Sequence, residues 1–490
     1  MTSRPKSVLS RELLPASISV YTMVALAAFE SLAVAAALPD IAAELGRVDL
    51  LPWVITGYLL LSGVGAVVAG PLVDSVGVKL MFRSAVVIFV AGSTAAAFAT
   101  TMPQMIGARV VQGAGAGFLL AVGLSAVNLL YPPHLIGRAF AANSTVWGVM
   151  GVAGPGIAGL ILSIASWPWI FLVNLPLGII ALAAGWKILP GPVDPEAEST
   201  IDGLGIAMVL TFNLALLLAV DGLGPWSLVW IAVATATGFL YLRRARRSQA
   251  PVLKIRHLVE APFGILALSI AMLIGGGISV HSFFTLYIRG ARGAGTSLTA
   301  WSVMFFVIGW TVGANLSSRM LDRQSDSSVI MRGFVVTIAS MIGVAAVSAV
   351  GWPLPVLFAA MLATGAGVGL ATNAGLTLLR SLAASEEIGR ATAAHQFFRN
   401  LGFSLGAALG GAIILLVVAR TVGDVEVVRD LLAGGDIAGD PEVAEAIGQG
   451  FTATAVAGTV LASLGLIPFA ALRSHLAPAR AAADQMRSSG

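Results

Sequence analysis

Long apolar runs separated by short polar segments organise this chain. A helix crossing the hydrocarbon core needs about 20 apolar residues. Such runs lie near 15–38, 52–73, 80–100, 104–130, 139–164, 168–189, 204–222, 226–242, 262–286, 297–318, 330–351, 354–379, 391–418 and 451–472. They predict fourteen transmembrane helices. The pair 204–222 and 226–242 is short, and a single helical hairpin or an interfacial pair also fits there. The runs are apolar on every face and about twice the length of the ~10-residue alternating strands of a membrane barrel.

The polar segments set the orientation, because Lys and Arg collect in cytoplasmic loops. With the N-terminus inside, 21 of the 28 basic residues fall in inside segments and five fall outside. The other two, Arg109 and Arg399, lie within spans. Both termini are therefore expected in the cytoplasm, with the first span an uncleaved signal anchor. The inside linker 243–260 opens with RRARR and reads as a topology anchor that also meets anionic lipid headgroups. The outside segment 421–447 holds seven acidic residues against Arg429 and reads as a solvated loop with a short helix.

Composition narrows the function classes. Of 490 residues, 57% are hydrophobic and 11% charged, against roughly 25% charged in soluble domains. So few charges cannot cover a water-facing surface. The net charge of +4 indicates no nucleic-acid partner, and the absence of cysteine removes disulfides, thiolate metal sites and cysteine nucleophiles. No HExxH, GxSxG or metal-spaced cluster supports an intramembrane enzyme. No P-loop is present for ATP, and no repeated polar lining suggests a channel.

Shifting the chain by 252 residues aligns GAGAG at 113–117 with GAGVG at 365–369, and GRAFAAN at 137–143 with GRATAAH at 389–395. Over 107–159 the match is 16 identities in 53 positions. Two parallel bundles related by an axis along the membrane normal follow, with a substrate site between them. The expected domains are a bundle at 1–195, a linker with two extra helices at 196–260, and a second bundle at 261–490 with an outer loop at 419–450.

GPLVDSVGVKLMFR at 70–83, expected in the inside loop between the second and third spans, resembles the signature loop of the major facilitator superfamily. Gly70, Leu72, Asp74, Gly77 and Lys79 are on pattern, and SRMLDRQS at 318–325 aligns Asp322 with Asp74. The glycines allow a tight turn, and Asp74 can accept from helix N-terminal amides or an arginine and so act as a conformational latch. RVVQGAGAG at 109–117 resembles the superfamily's arginine-bearing motif. An arginine inside a span needs a partner, and Glu30 of ESLAVAAALP lies at similar depth. The fourteen-helix drug:proton antiporter family usually has an Asp in that place. GVMGVAGPGIAG at 148–159 resembles the antiporter motif, with Gly151, Gly154, Pro155 and Gly159 permitting close packing and a bend. WPWIFLVNLPLG at 167–178 and GRATAAHQFFRNLGFSLGAALGG at 389–411 resemble segments of the same family, with Pro168 where an arginine is usual.

The resemblance implies an all-α integral membrane protein of two six-helix bundles plus two extra helices. It implies a proton-driven exporter of small amphipathic compounds, with no cofactor beyond the proton gradient, no metal and no nucleic-acid partner. Membrane lipid is the expected environment, as a monomer in a bacterial inner membrane. Glu30, Arg109 and His281 are the proton-coupling candidates, and Gln112, Asn143, Trp147 and Arg399 the cavity candidates. Asn174, Asn373 and Asn400 read as interhelical hydrogen-bond glue. The alternatives are an exporter dedicated to one endogenous lipid or secondary metabolite, and a receptor or enzyme on the same scaffold.

Overall fold

The computed structural model describes residues 5, 7–47, 50, 52–189, 202–221, 225–248, 251–384, 387–422 and 441–488. Every regular element among them is a helix. Among the described residues, ten stretches are long and apolar enough to cross a membrane, and Leu14–Glu30, Trp53–Ala69 and Gly203–Leu216 are shorter apolar helices. The chain divides into two units, Met1–Leu258 with Leu379–Phe397, and Val259–Leu378 with Phe398–Gly490.

The first unit holds α1 (Leu14–Leu45), α2 (Pro52–Ala97), α3 (Met102–Leu130), α4 (Ile136–Ile164), α5 (Pro168–Leu172), α6 (Asn174–Gly185), α7 (Gly203–Asp221), α8 (Pro225–Ala245) and the short α9 (Ile255–Leu258). The second contains α10 (Phe263–Ser282), α11 (Phe284–Leu286), α12 (Thr296–Leu321), α13 (Asp326–Val350), most of α14 (Leu354–Leu382) and of α15 (Ile388–Thr421), and α16 (Pro441–Ser488).

Three boundaries differ from the sequence expectation. The first helix does not stop at Pro39 but runs on to Leu45. The stretch 70–83 is not an extended loop: α2 is helical on both sides of Gly77, whose φ of 82° and ψ of 156° break it. That backbone region is open essentially to glycine alone. On either side of the break α2 runs in opposite directions along α3. Gly57 lies against Ile106 and Val110 and Ser62 against Gly117, whereas Phe89 lies against Gly115 and Gly92 against Gln112. Finally, 441–450, in the expected outer segment, is the helical start of α16, where Val443, Ala446 and Ile447 bury against Ile414 and Val418. Most of the acidic segment at 421–447 lies outside the described residues.

Close helix packing replaces a water-driven core. A Cβ on Gly113 or Gly117 of α3 would run into the carbonyls of Tyr58 and Ser62 in α2. In the second unit, a Cβ on Gly365 or Gly369 of α14 would run into the carbonyls of Phe306 and Trp310 in α12. The glycines are 252 residues apart and their partners 248, so the sequence repeat is also a packing repeat. In the second unit Gly402, Gly406 and Gly410 of α15 seat against Ala271, Gly275 and Ser279 of α10 at four-residue spacing. The corresponding stretch of α4 differs: a Cβ on Gly156 or Gly159 would meet nothing within 4 Å.

Helices α7 and α8 pair with each other and present Trp226, Leu228 and Phe239 outward at 65–73% exposure, a lipid-facing surface. Glu387, just before α15, gathers Lys254 at 2.6 Å, Arg256 at 3.4 Å and His257 at 3.5 Å. The hydrogen bond from Lys254 holds the Glu387 carboxyl below the usual carboxylate range. Burial pushes His257 below its ordinary value even beside that carboxylate.

Leucine at Gly117 or Gly369 should cost about 1–3 kcal/mol through overpacking, read as a lower thermal midpoint of the purified protein. Gly156→Leu, with open space at its Cβ, should stay within about 0.5 kcal/mol of wild type.

Candidate functional site

Four helices of the first unit converge on one carboxylate. Glu30 lies within α1. Arg109 sits in the second turn of α3, a helix started by Thr101, whose side chain accepts from the Gln104 amide. Arg109 Nη1 donates to Glu30 Oε1 and to Gln112 Oε1 at 2.6 Å. Its Nε donates to the Val54 carbonyl at 3.1 Å, and its guanidinium lies 4.2 Å from the ring centre of Tyr58. Glu30 Oε2 accepts from Asn174 Nδ2 at 2.6 Å. The same Asn174 nitrogen reaches Ser93 Oγ at 2.9 Å, and Ser93 donates to the Phe171 carbonyl at 2.8 Å.

The cluster is sealed. Glu30, Ser93, Gln112 and Asn174 are 0% exposed and Arg109 is 1% exposed. Phe29, Val34, Met105, Trp167, Ile170 and Phe171 build the apolar core beside it. Taking two ions out of water costs several kcal/mol each, and only good geometry with further hydrogen bonds offsets it. Here each Glu30 oxygen has its own donor and the guanidinium has three acceptors. One proton on Glu30 cancels the charge that Arg109 neutralises, so the pair can exist in two states of different strength. In this conformation no substrate reaches the carboxylate.

The other candidates fall elsewhere. Gln112, read as a cavity residue, is buried against Arg109. Asn174, read as interhelical hydrogen-bond glue, ties α6 to Glu30 of α1 and Ser93 of α2; Ser93 is a ligand of the acid cluster that sequence reasoning missed. Gln112 could have been placed there by its three-residue spacing from Arg109, which shares a helix face. Asn143 and Trp147 are half-buried, one turn apart on α4. Arg399 is half-buried on α15. His281, in the second unit, stacks on Phe306 at 4.5 Å between ring centres. Its Nδ1 is buried without a partner among the described residues. Asp322 is exposed just after α12, and Lys79 is half-buried beyond the Gly77 break. Gly151 is half-buried, Gly154 buried and Gly159 exposed. Gly70 lies within α2; the side chains of Asp74 and Pro155 lie outside the described residues. No group of three or more His, Cys, Asp or Glu able to hold a metal occurs among the described residues.

Long apolar helices in two units of repeated packing, with an ion pair buried inside one of them, define a multi-pass membrane protein. Residues 20–407 match the model of the Major Facilitator Superfamily, and the chain belongs to that superfamily. It is 28% identical over 399 residues to an uncharacterised MFS-type transporter of Mycobacterium tuberculosis, covering 79% of this chain. The chain spans 57% of that relative's length. It is 25% identical over 377 residues to the riboflavin transporter RibZ of Clostridioides difficile, covering 76% of this chain and 81% of RibZ. It is 24% identical over 394 residues to the multidrug transporter MdtP of Bacillus subtilis, covering 79% of this chain and 72% of MdtP. Its fold is similar to that of the human organic anion transporter MFSD10, with a TM-score of 0.62 at 13% identity over 91% of this chain and 98% of that one.

Arg109→Met leaves Glu30 buried and unpaired, which should cost about 3–5 kcal/mol, read by thermal unfolding in detergent. Adding Glu30→Gln should recover part of that loss by removing the orphaned charge. Asn174→Leu should cost about 1–3 kcal/mol, since one carboxylate oxygen loses its donor.

Proposed function

We propose that this chain is a proton-driven exporter of small amphipathic or lipophilic compounds, a fourteen-span antiporter with both termini in the cytoplasm of a bacterial inner membrane. The buried Glu30–Arg109 pair carries this reading. A carboxylate within an apolar span that can pair or protonate is what proton coupling needs. Protonation weakens the tie between α1 and α3, while Asn174 and Gln112 keep the two side chains in register. Alternating access then exposes Glu30 to one side at a time. Asp74 and Asp322 act as latches in the two halves, and His281 is the second candidate for proton transfer.

Two facts support export of amphipathic compounds. MdtP is a multidrug transporter, and the segments at 148–159 and 167–178 resemble those of drug:proton antiporters. The second reading is an exporter dedicated to one endogenous lipid or secondary metabolite, which similarity to the riboflavin transporter RibZ favours. The transporter works without a bound cofactor, as a monomer.

Proton-coupled dye efflux in everted vesicles tests the coupling role. Glu30→Gln should lose concentrative transport and retain downhill exchange, while Glu30→Asp should keep partial activity. If Glu30→Gln concentrates substrate at the wild-type rate, Glu30 is not the coupling group and His281 takes its place. A panel of dyes, lipids and flavins separates the broad from the dedicated exporter.

A further inference from the structure

A cleft of about 400 Å³ opens at one end of the α7–α8 pair, lined by Leu204, Met208, Leu240, Arg243, Arg244, Arg247 and Ser248. Its wall is divided by chemistry. Leu204 and Met208, four residues apart, share a face of α7, and Leu240 faces them from α8. Leu204 and Leu240 remain 53% and 49% exposed, so the described residues leave this apolar wall open. At the lip stand three arginines, and they are not equivalent. Arg244 is spent on Asp202, donating from Nε at 3.1 Å and from Nη2 at 2.8 Å to the same oxygen. That oxygen also caps α7 by accepting from the Gly205 amide at 2.9 Å. Arg243 and Arg247 have no side-chain partner among the described residues, and both are exposed.

The cleft is also braced. The Tyr241 hydroxyl accepts from the Leu253 amide at 2.7 Å and donates to the Leu253 carbonyl at 3.1 Å, tying the end of α8 to the segment behind it. A recess with an apolar wall and, at its mouth, two guanidinium groups without a side-chain partner among the described residues complements one kind of molecule: a phosphate monoanion with an acyl chain attached. Guanidinium forks match phosphate oxygens in pairs, and the Ser248 hydroxyl supplies a further donor.

We propose that this cleft is a binding site for an anionic phospholipid, its phosphate between Arg243 and Arg247 and an acyl chain along Leu204, Met208 and Leu240. A free phosphate would satisfy the lip and leave the apolar wall uncovered, so lipid is the occupant. Basic residues near a membrane surface each strengthen binding of anionic lipid by about fivefold.

Native mass spectrometry of the full chain, titrated with phosphatidylglycerol, cardiolipin or phosphatidylethanolamine, tests the site. Wild type should retain the anionic lipids more tightly than phosphatidylethanolamine. The Arg243→Gln/Arg247→Gln variant should bind them about 25-fold more weakly. Arg246→Gln, outside the cleft, should stay near wild type. Leu204→Trp, which fills the apolar wall without altering charge, should also lose binding, and inorganic phosphate should not displace the lipid. Thermal midpoints of each variant confirm folding. Equal lipid retention by wild type and the double variant overturns the proposal. So does an equal loss in Arg246→Gln, which reduces the effect to unspecific charge, or displacement by inorganic phosphate.

Discussion

An ionised carboxylate held away from water must find all its hydrogen bonding inside the protein. That constraint governs the first unit. Glu30 takes its donors from α3 and α6, Arg109 takes a further acceptor from the backbone of α2, and Ser93 ties Asn174 to α2 and, through Phe171, to α5. No two helices could supply this set. The network therefore specifies how α1, α2, α3 and α6 are rotated about their axes, which apolar packing alone leaves loosely determined. It also makes the site sensitive to one proton, since the same burial that makes pairing necessary makes neutralisation consequential.

The glycines provide the approach distance that such convergence needs. Inside a bilayer helices gain little from hiding apolar surface, and contact between backbones takes over. The matched contacts of Gly113 and Gly117 with α2, and of Gly365 and Gly369 with α12, use one device in both units. Among the described residues, an acid and arginine pair is buried beside these glycines in the first unit. Its copy keeps the packing and substitutes other residues, with Met361 where the repeat aligns Arg109. The repeated scaffold is thus separable from the charge chemistry placed upon it.

The α7–α8 pair follows different rules. Its outward side chains are large and apolar, and its ion pair, Asp202 with Arg244, sits at a helix start rather than in a bundle interior. Such a pair contributes to anchoring a hairpin in lipid, and the arginines left over are available to headgroups.

Helix positions were legible in the sequence because a bilayer demands runs of about 20 apolar residues, whatever the fold. The repeat was legible because a glycine that permits backbone contact has no substitute, and so it survives in both copies. Glu30 and Arg109 stood out because charge within an apolar run is costly without a partner. The partnership with Asn174 and Ser93 was not legible: single polar residues in apolar helices look alike until helix rotation decides which face the acid. The passage of α1 through Pro39 and the collapse of the 70–83 loop to a break at Gly77 were likewise decided by tertiary structure. Neighbouring helices can support a proline or a sharp reversal that local propensity alone would turn into a loop. Sequence determined which segments enter the membrane and which charges must be satisfied there; tertiary structure decided who satisfies them, because only packing sets the depth and rotation of each helix.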